Sequence, residues 1–262
     1  MTYNFELQTD IGRKRTKNQD SIFADPSLGL FIVADGMGGH SGGEIASSMA
    51  VEVIAASVRK SIQSSVRENS QDTEWDPKEI LREAIEKANA EIYERSSHDD
   101  GLRGMGTTAT ALLFKPPLLA IGQVGDSRCY LIKREALWQL TRDHSLVQEK
   151  LRAGLITREA LRTDRMKNVI TRSVGYERQI SVELFEMTPN PKDFFLICSD
   201  GLTGMLEDFE ILEKLSPELF PEEGAQAHVR EALQSLIDTA NDRGGDDNVS
   251  AALVQLTEYR HG

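Results

Sequence analysis

Three apolar runs of this chain end in aspartate, LFIVAD at Asp35, LLAIGQVGD at Asp126 and FFLICSD at Asp200, and an acidic turn, Asp246-Asp247-Asn248, precedes the last apolar run. Strand ends that deliver carboxylates to one common edge would gather hard oxygen ligands there. Mg²⁺ and Mn²⁺ prefer such ligands, keep several of their waters and need only a few carboxylates, whereas zinc favours nitrogen and sulfur. The pattern therefore predicts a hydrolytic metal centre. Taken singly, Asp35-Gly36 or Asp200-Gly201 reads as tight-turn chemistry, since Asp-Gly is a strong hairpin signal. Four acidic strand ends together are harder to dismiss. Clustered carboxylates are costly without a cation or hydrogen-bonding partners, and the nearby Lys and Arg are too few to neutralise all four.

The elements that must position these acids are legible as periodicity. Phe5, Leu7 and Thr9 alternate as in a strand, and further strand-like runs cover residues 21–24, 29–34, 106–114, 118–125, 127–133, 136–141, 181–187, 193–199 and 248–256. Most are joined by very short turns, which suits antiparallel pairing because parallel strands need long crossovers. Ser41-Gly-Gly-Glu44 and Asp76-Pro77-Lys78-Glu79 are helix-start signals. Behind them, Val51, Ile54, Val58, Ile62 and Leu81, Ile85, Ala88, Ile92 form two apolar stripes, predicting a packed pair. A second pair is expected near the end. A short helix around residues 208–215 leads to a longer one opening at Pro221-Glu222, with Ala225, Val229, Leu233, Leu236 and Ala240 as its stripe. Two helix pairs around many antiparallel strands predict an α+β fold, a four-layer α/β/β/α sandwich with a central pair of antiparallel sheets.

Residues from His144 to about 178 fit the sheets poorly. They carry two helix-like pieces, HSLVQEKLRAG and TREALRTDR, with many charges and few β-branched residues. The stretch reads as a surface excursion beside the acidic edge, either a plain connector or a flap over a site. With 262 residues, 39% hydrophobic and 27% charged, and no linker beyond the short stretch 67–75, one domain spanning 1–262 is expected. A net charge of −12, from 30 basic and 42 acidic residues, disfavours nucleic acid and anionic membranes. Against that balance stands one basic island, Arg13-Lys14-Arg15 with Lys17. The first residues, MTYNFELQTD, show no signal peptide, and no apolar run approaches a transmembrane length. Cys129 and Cys198 lie in strand-like runs, where free thiols are commoner than a disulfide, so the cytoplasm is the expected compartment, and a monomer is expected as well.

The residues also carry a family resemblance. Arg15-Thr-Lys-Asn-Gln-Asp20, Asp35-Gly-Met-Gly-Gly-His40 with Gly43-Glu44 and Ala46-Ser47, Gly106-Thr-Thr-Ala109, Val124-Gly-Asp-Ser-Arg128, Ser199-Asp-Gly-Leu202 and Asp247-Asn-Val249 follow one another in this order. The series resembles the metal-dependent protein serine/threonine phosphatases, the PPM or type 2C family, in its bacterial form, from about residue 8 to 256. The resemblance implies an antiparallel β-sandwich flanked by helix pairs. It implies that Asp35, Asp200 and Asp247, with the carbonyl of Gly36, hold two Mn²⁺ or Mg²⁺ ions, and that Asp20 supports them through coordinated water. Asp126, with Asp200, matches the position of a third, weaker ion. The partners implied are phosphorylated proteins, substrates of a bacterial serine/threonine kinase.

A phosphoserine ester dianion repels nucleophiles, and two cations roughly 3.5–4 Å apart can bridge and deprotonate a water while screening that charge. Asp35 is expected as the bridging carboxylate and Arg15 as the phosphate contact, its planar fork suiting the oxygens. The alkoxide leaving group calls for a proton donor. His40 is the candidate nearest in sequence, but many eukaryotic members place a histidine directly after the Asp-Gly pair, where this chain has Met37. His40 is therefore read equally as a helix-start residue. A cysteine-dependent phosphatase would need a phosphate loop after Cys129 or Cys198, and a kinase would need Gly-Lys-Ser/Thr to close GMGGHSGG. Neither is present. A histidine-aspartate hydrolase built on His98-Asp99 has only that pair behind it. A catalytically silent relative that binds phosphoproteins is the alternative from another class, and the intact Asp35, Asp200 and Asp247 weigh against it.

Overall fold

The computed structural model describes residues 2–39, 41–68, 75–161, 163–221 and 226–258. The elements follow one another as β1 Thr2–Asp10, β2 Asp20–Asp25, β3 Leu30–Met37, α1 Gly42–Glu68, α2 Pro77–His98, a 3₁₀ turn Asp100–Leu102, β4 Gly106–Thr107, β5 Ala109–Lys115, β6 Leu118–Val124, β7 Arg128–Lys133, β8 Ala136–Gln139, α3 Leu146–Arg152, β9 Glu183–Met187, β10 Phe194–Cys198, α4 Asp200–Thr203, α5 Asp208–Leu219, α6 Val229–Asp242 and β11 Val249–Glu258. One sheet has the order β1-β11-β10-β7-β8. The other runs β2-β3-β5-β6-β9, with β4 pairing β3 off its path. Every pair of named strands is antiparallel.

Three apolar clusters separate four layers. The helices α1 and α2 bury Ala50, Ile54, Val58, Leu81, Ile85 and Ile92 against one sheet; α5 and α6 bury Leu215, Leu233 and Leu236 against the other; and a third cluster fills the space between the sheets. This arrangement explains why the strands read as continuous apolar runs. Successive side chains of a strand point to opposite faces, and here both faces are covered. Along β3, Leu30, Ile32 and Ala34 meet the helices while Phe31 and Val33 meet the other sheet. Along β10, Phe194, Leu196 and Cys198 face helices while Phe195 and Ile197 face inward. The inner cluster is stitched by edge-on ring pairs, Phe31 with Tyr3, Phe5 and Phe114, and Phe114 with Phe195, at 5.4–6.1 Å. Each such pair contributes about 0.5–1.5 kcal/mol beyond its buried area.

Two expectations need correction. The final helix opens at Val229 rather than at Pro221-Glu222, because 226–228 are held outside it, His228 N–H donating to the Glu218 carbonyl at the end of α5. Residues 222–225, including the predicted stripe residue Ala225, lie outside the described residues. In the excursion, HSLVQEKLRAG yields α3, but the described part of TREALRTDR is turns. There Asp164 accepts hydrogen bonds from the Met166 amide and from Lys150 Nζ, and a short polar side chain that satisfies nearby backbone in this way competes with a helix.

Candidate metal centre

The same alternation that packs the inner cluster delivers the acids. Asp35 follows Phe31 and Val33 on the inter-sheet face of β3, and Asp20 follows the parity of Ile22 and Ala24 on β2; the two are register partners. On the opposing sheet, Thr9 of β1, Ser199 after β10 and Ser250 of β11 continue the inward positions of Leu7, Ile197 and Ala252. One end of the cleft between the sheets is therefore polar where the rest is apolar.

The two Asp-Gly pairs are not hairpin turns. β3 runs on through Gly36 to Met37, and Asp200 opens α4. Their glycines answer to close approach: a Cβ on Gly36 would overlap the Gly43 and Gln19 carbonyl oxygens, and one on Gly201 would overlap the Asn248 carbonyl. Asp126 lies in the bend that carries the chain from β6 in one sheet to β7 in the other.

Hydrogen bonds and charge tie the cluster together. Ser199 Oγ donates to Asp20 Oδ2 at 2.8 Å, and Asp35 shares side-chain hydrogen bonds with Asp20 and Asp200. Burial, and then the neighbouring carboxylates, raise the pKa of Asp20, Asp35, Asp126 and Asp200. Asp20 is pushed up to about 6, burial being offset in part by Ser250 and Ser199. Asp126 is pushed up to about 8 by burial and then by Asp200 and Asp143. Asp35 stands well above the usual carboxylate range through burial and the charges of Asp20, Asp200, Asp126 and Asp247. Asp200 is raised by burial and by Asp247. The cluster thus holds more negative charge than its protein surroundings neutralise.

Arg15 joins the centre from the rim. Its Nη2 donates to Asp247 Oδ2 at 2.6 Å, and its side chain remains half exposed. The loop that carries it is pinned by Asn248, whose Oδ1 accepts from the Gln19 amide while Nδ2 donates to the Ile11 and Lys17 carbonyls. Sequence reading quoted Asn248 within a motif but gave it no task. It likewise missed Ser199, Ser250 and Thr108, whose hydroxyl accepts from the Asp35 amide and pairs with Ser127 Oγ at 2.7 Å. Ser199 and Thr108 stand inside quoted motifs without a task, and Ser250 was signalled only by its parity with inward-facing apolar residues.

A test of fit for a divalent cation rests on these observations. Among the described residues no three His, Cys, Asp or Glu side chains already converge on one cation position. The hydrogen bonds above account for this, because Asp247 is engaged by Arg15 and Asp20 by Ser199. The donor set is nevertheless all carboxylate and carbonyl oxygen, Asp126 Oδ1 is buried without a hydrogen-bond partner, and the acids draw protons that a cation would displace. The residues fit Mg²⁺ or Mn²⁺. His40 lies outside the described residues. Of the other histidines, His98 is exposed at the end of α2, and His144 is buried near the Asp126 turn. Cys129 and Cys198 are fully buried free thiols. Burial raises both pKa values, that of Cys198 to about 12, so neither is a nucleophile.

From the centre a cavity of about 870 Å³ extends beneath the excursion, bounded by Asp126 and Asp200 at one end and by Arg158, Lys167 and Phe209 farther out.

Residues 9–238 match the family described as Protein phosphatase 2C. This chain belongs to that family. It is 36% identical over 253 residues to the serine/threonine phosphatase stp of Listeria monocytogenes, covering 95% of this chain and 94% of the relative. The fold superposes on the serine/threonine phosphatase PstP/Ppp of Mycobacterium tuberculosis with a TM-score of 0.84 at 31% identity, over 98% of this chain and 100% of the other. The catalytic domain of PstP in complex with two manganese ions matches with a TM-score of 0.81 at 31% identity, over 98% and 99% of the two chains. The chain is thus a protein serine/threonine phosphatase of the metal-dependent kind, and its α+β sandwich is the family's fold. Among the described residues no helix is long and apolar enough to cross a membrane.

Proposed function

We propose that the chain acts as a single domain that hydrolyses phosphoserine and phosphothreonine esters of proteins and reverses the action of a bacterial serine/threonine kinase. The observation that carries this reading is the buried, under-neutralised group Asp20, Asp35, Asp126 and Asp200 at the mouth of the cleft, with Asp247 and Arg15 on its rim. Asp35, Asp200, Asp247 and the Gly36 carbonyl would hold two Mn²⁺ or Mg²⁺ ions, Asp20 would support them through water, and Asp126 with Asp200 would hold a weaker third. Held there, the ions would supply an activated water for attack on phosphorus and would screen the ester dianion.

The chain's own residues do the rest. Asp35, on a strand buried on both faces, gives the pair a rigid shared ligand. Arg15, half exposed on the rim beside Asp247, would offer its planar fork to the phosphate oxygens once a cation held that carboxylate. The polar end of the cleft links Thr9, Ser250 and Ser199, and Ser199 holds the Asp20 carboxylate. Whether His40 donates the proton to the departing serine is decided by the rate of His40→Ala on an alkyl phosphoester. The excursion forms a flap over the groove, where the phosphoprotein segment would lie. The buried free thiols support a cytoplasmic setting, and the charge of −12 weighs against nucleic acid and anionic membrane as partners.

The test is hydrolysis of a phosphothreonine peptide by the purified chain with Mn²⁺, Mg²⁺ or EDTA, beside Asp200→Asn. Turnover is expected with a divalent ion and is expected to vanish in the variant while its fold persists. Substantial residual turnover in Asp200→Asn would reject the two-metal assignment. Silence of the parent under every ion would favour the regulatory, non-catalytic relative.

A further inference from the structure

His144 is 2% exposed, lies in none of the motifs that carry the resemblance and has no part in the mechanism above. Its contacts are specific. Ring Nδ1 accepts from the Gly125 amide at 3.1 Å, and the His144 amide donates to the Gly125 carbonyl at 2.9 Å. Both polar groups of the residue preceding Asp126 thus meet His144, the carbonyl also accepting from Gln123 Nε2 at 3.2 Å. Because Nδ1 accepts, the proton of the neutral ring sits on Nε2, which donates to Glu183 Oε2 at 2.9 Å. Burial favours that neutral ring, moving its pKa below the ordinary histidine value.

His144 also stands where the excursion leaves the sheets. Its carbonyl accepts from the Thr171 amide at 2.8 Å, Ser145 bridges Ile170 and Val174 bridges Thr107, so outgoing and returning chains are joined at His144. Glu183 begins β9, directly after the excursion. Gly125 has φ +106°, and a Cβ there would press on Thr108, so the turn is confined on its other side as well. The turn carries Asp126, whose Oδ1 is buried and unpartnered.

We propose that His144 is a positioning residue: by gripping the Gly125 peptide it aims Asp126 at the third cation and makes the closed stem of the excursion a condition of that aim. This rests on the reading of Asp126 given above. Partners that orient a ligand typically govern affinity by about 10- to 100-fold. The stem offers a physical route by which whatever the excursion binds alters cation affinity.

Two measurements test it. In the metal-free parent, ¹⁵N NMR of the imidazole should show an unprotonated Nδ1 and a protonated Nε2; the opposite tautomer overturns the proposal without any substitution. Mn²⁺ binding is then titrated calorimetrically in the parent, D126N, H144N and H144Q. Asn places an oxygen where Nδ1 lies, whereas Gln reaches toward Glu183 and releases Gly125. D126N should lose the weakest class of ions. H144Q should weaken that class about 10-fold with the tighter sites unchanged, and H144N should recover most of the loss. Equal weakening in H144N and H144Q, or parent-like binding in H144Q, overturns the positioning role while D126N still shows the third ion. D126N that binds like the parent removes the third ion itself, and His144 then has nothing to aim.

Discussion

The acidic end of the cleft and the excursion above it are built on opposite principles. Asp35 stands on a strand buried on both faces, two residues beyond the fully buried Val33, and its register partner Asp20 is held by the Ser199 hydroxyl. Across the groove, the excursion has one seven-residue helix, then turns, and it leaves Leu155, Met166, Val169 and Tyr176 exposed. Its ties to the body concentrate at the stem, where His144 meets Gly125 and where Asn89 of α2 holds the Gly175 amide and the Glu177 and Arg178 carbonyls. A rigid end suits chemistry that must hold like charges together. A surface whose described ties concentrate at its stem suits the choice among protein partners.

Four changes would break or sharpen that contrast. The largest effect is expected at the rigid end: Asp35→Asn should lower divalent-dependent turnover of a phosphopeptide by more than about 100-fold, beyond what loss of an outer partner costs. Circular dichroism should show the fold intact. Next, Arg15→Ala removes a charge-assisted contact worth about 1.5–3 kcal/mol, so kcat/KM for a phosphopeptide should fall about 10- to 100-fold with Mn²⁺ affinity retained. An unchanged kcat/KM would leave Arg15 as a mere partner of Asp247.

At the excursion, the double variant Arg158→Ala, Lys167→Ala should change kcat/KM between phosphopeptides of different sequence by only a few-fold. Hydrolysis of a small aryl phosphate should stay at the parent's rate, and equal loss on both substrates would refute the division of labour. The smallest effect concerns pH. Asp20 and Asp126 have folded pKa values of about 6 and about 8, raised above the ordinary 3.8. Between roughly pH 4 and 8 the metal-free native state therefore holds more protons than the unfolded chain, so its stability declines as pH rises through that window. Melting of the EDTA-treated protein should shift down by a few degrees from pH 5 to pH 8, and added Mn²⁺ should raise it more at pH 8 than at pH 5. An upward shift without metal would contradict the buried, under-neutralised cluster.

How much was legible beforehand varies with the physics. Ten apolar runs became strands because burial on both faces leaves a continuous signature, as at residues 30–34 and 194–198. Asp76-Pro77 marked a helix start because its signal is local: the Asp76 side chain accepts from the Lys78 amide. The opening of α6 was misread because a contact between distant residues, His228 with Glu218, decides it. The Asp-Gly turns were ambiguous for a like reason, since only neighbours such as the Gly43 and Asn248 carbonyls reveal that those glycines serve close approach.

The sequence alone determined the chemistry's raw material: carboxylates at strand ends, an arginine beside them and a net negative chain, because residue type and alternation survive without knowledge of neighbours. Which carboxylates share one cleft mouth, that Arg15 rests on Asp247, and that a histidine outside every motif grips the Asp126 turn were decided by tertiary structure alone. Those facts depend on residues up to 232 positions apart meeting in space, and no local pattern encodes such a meeting.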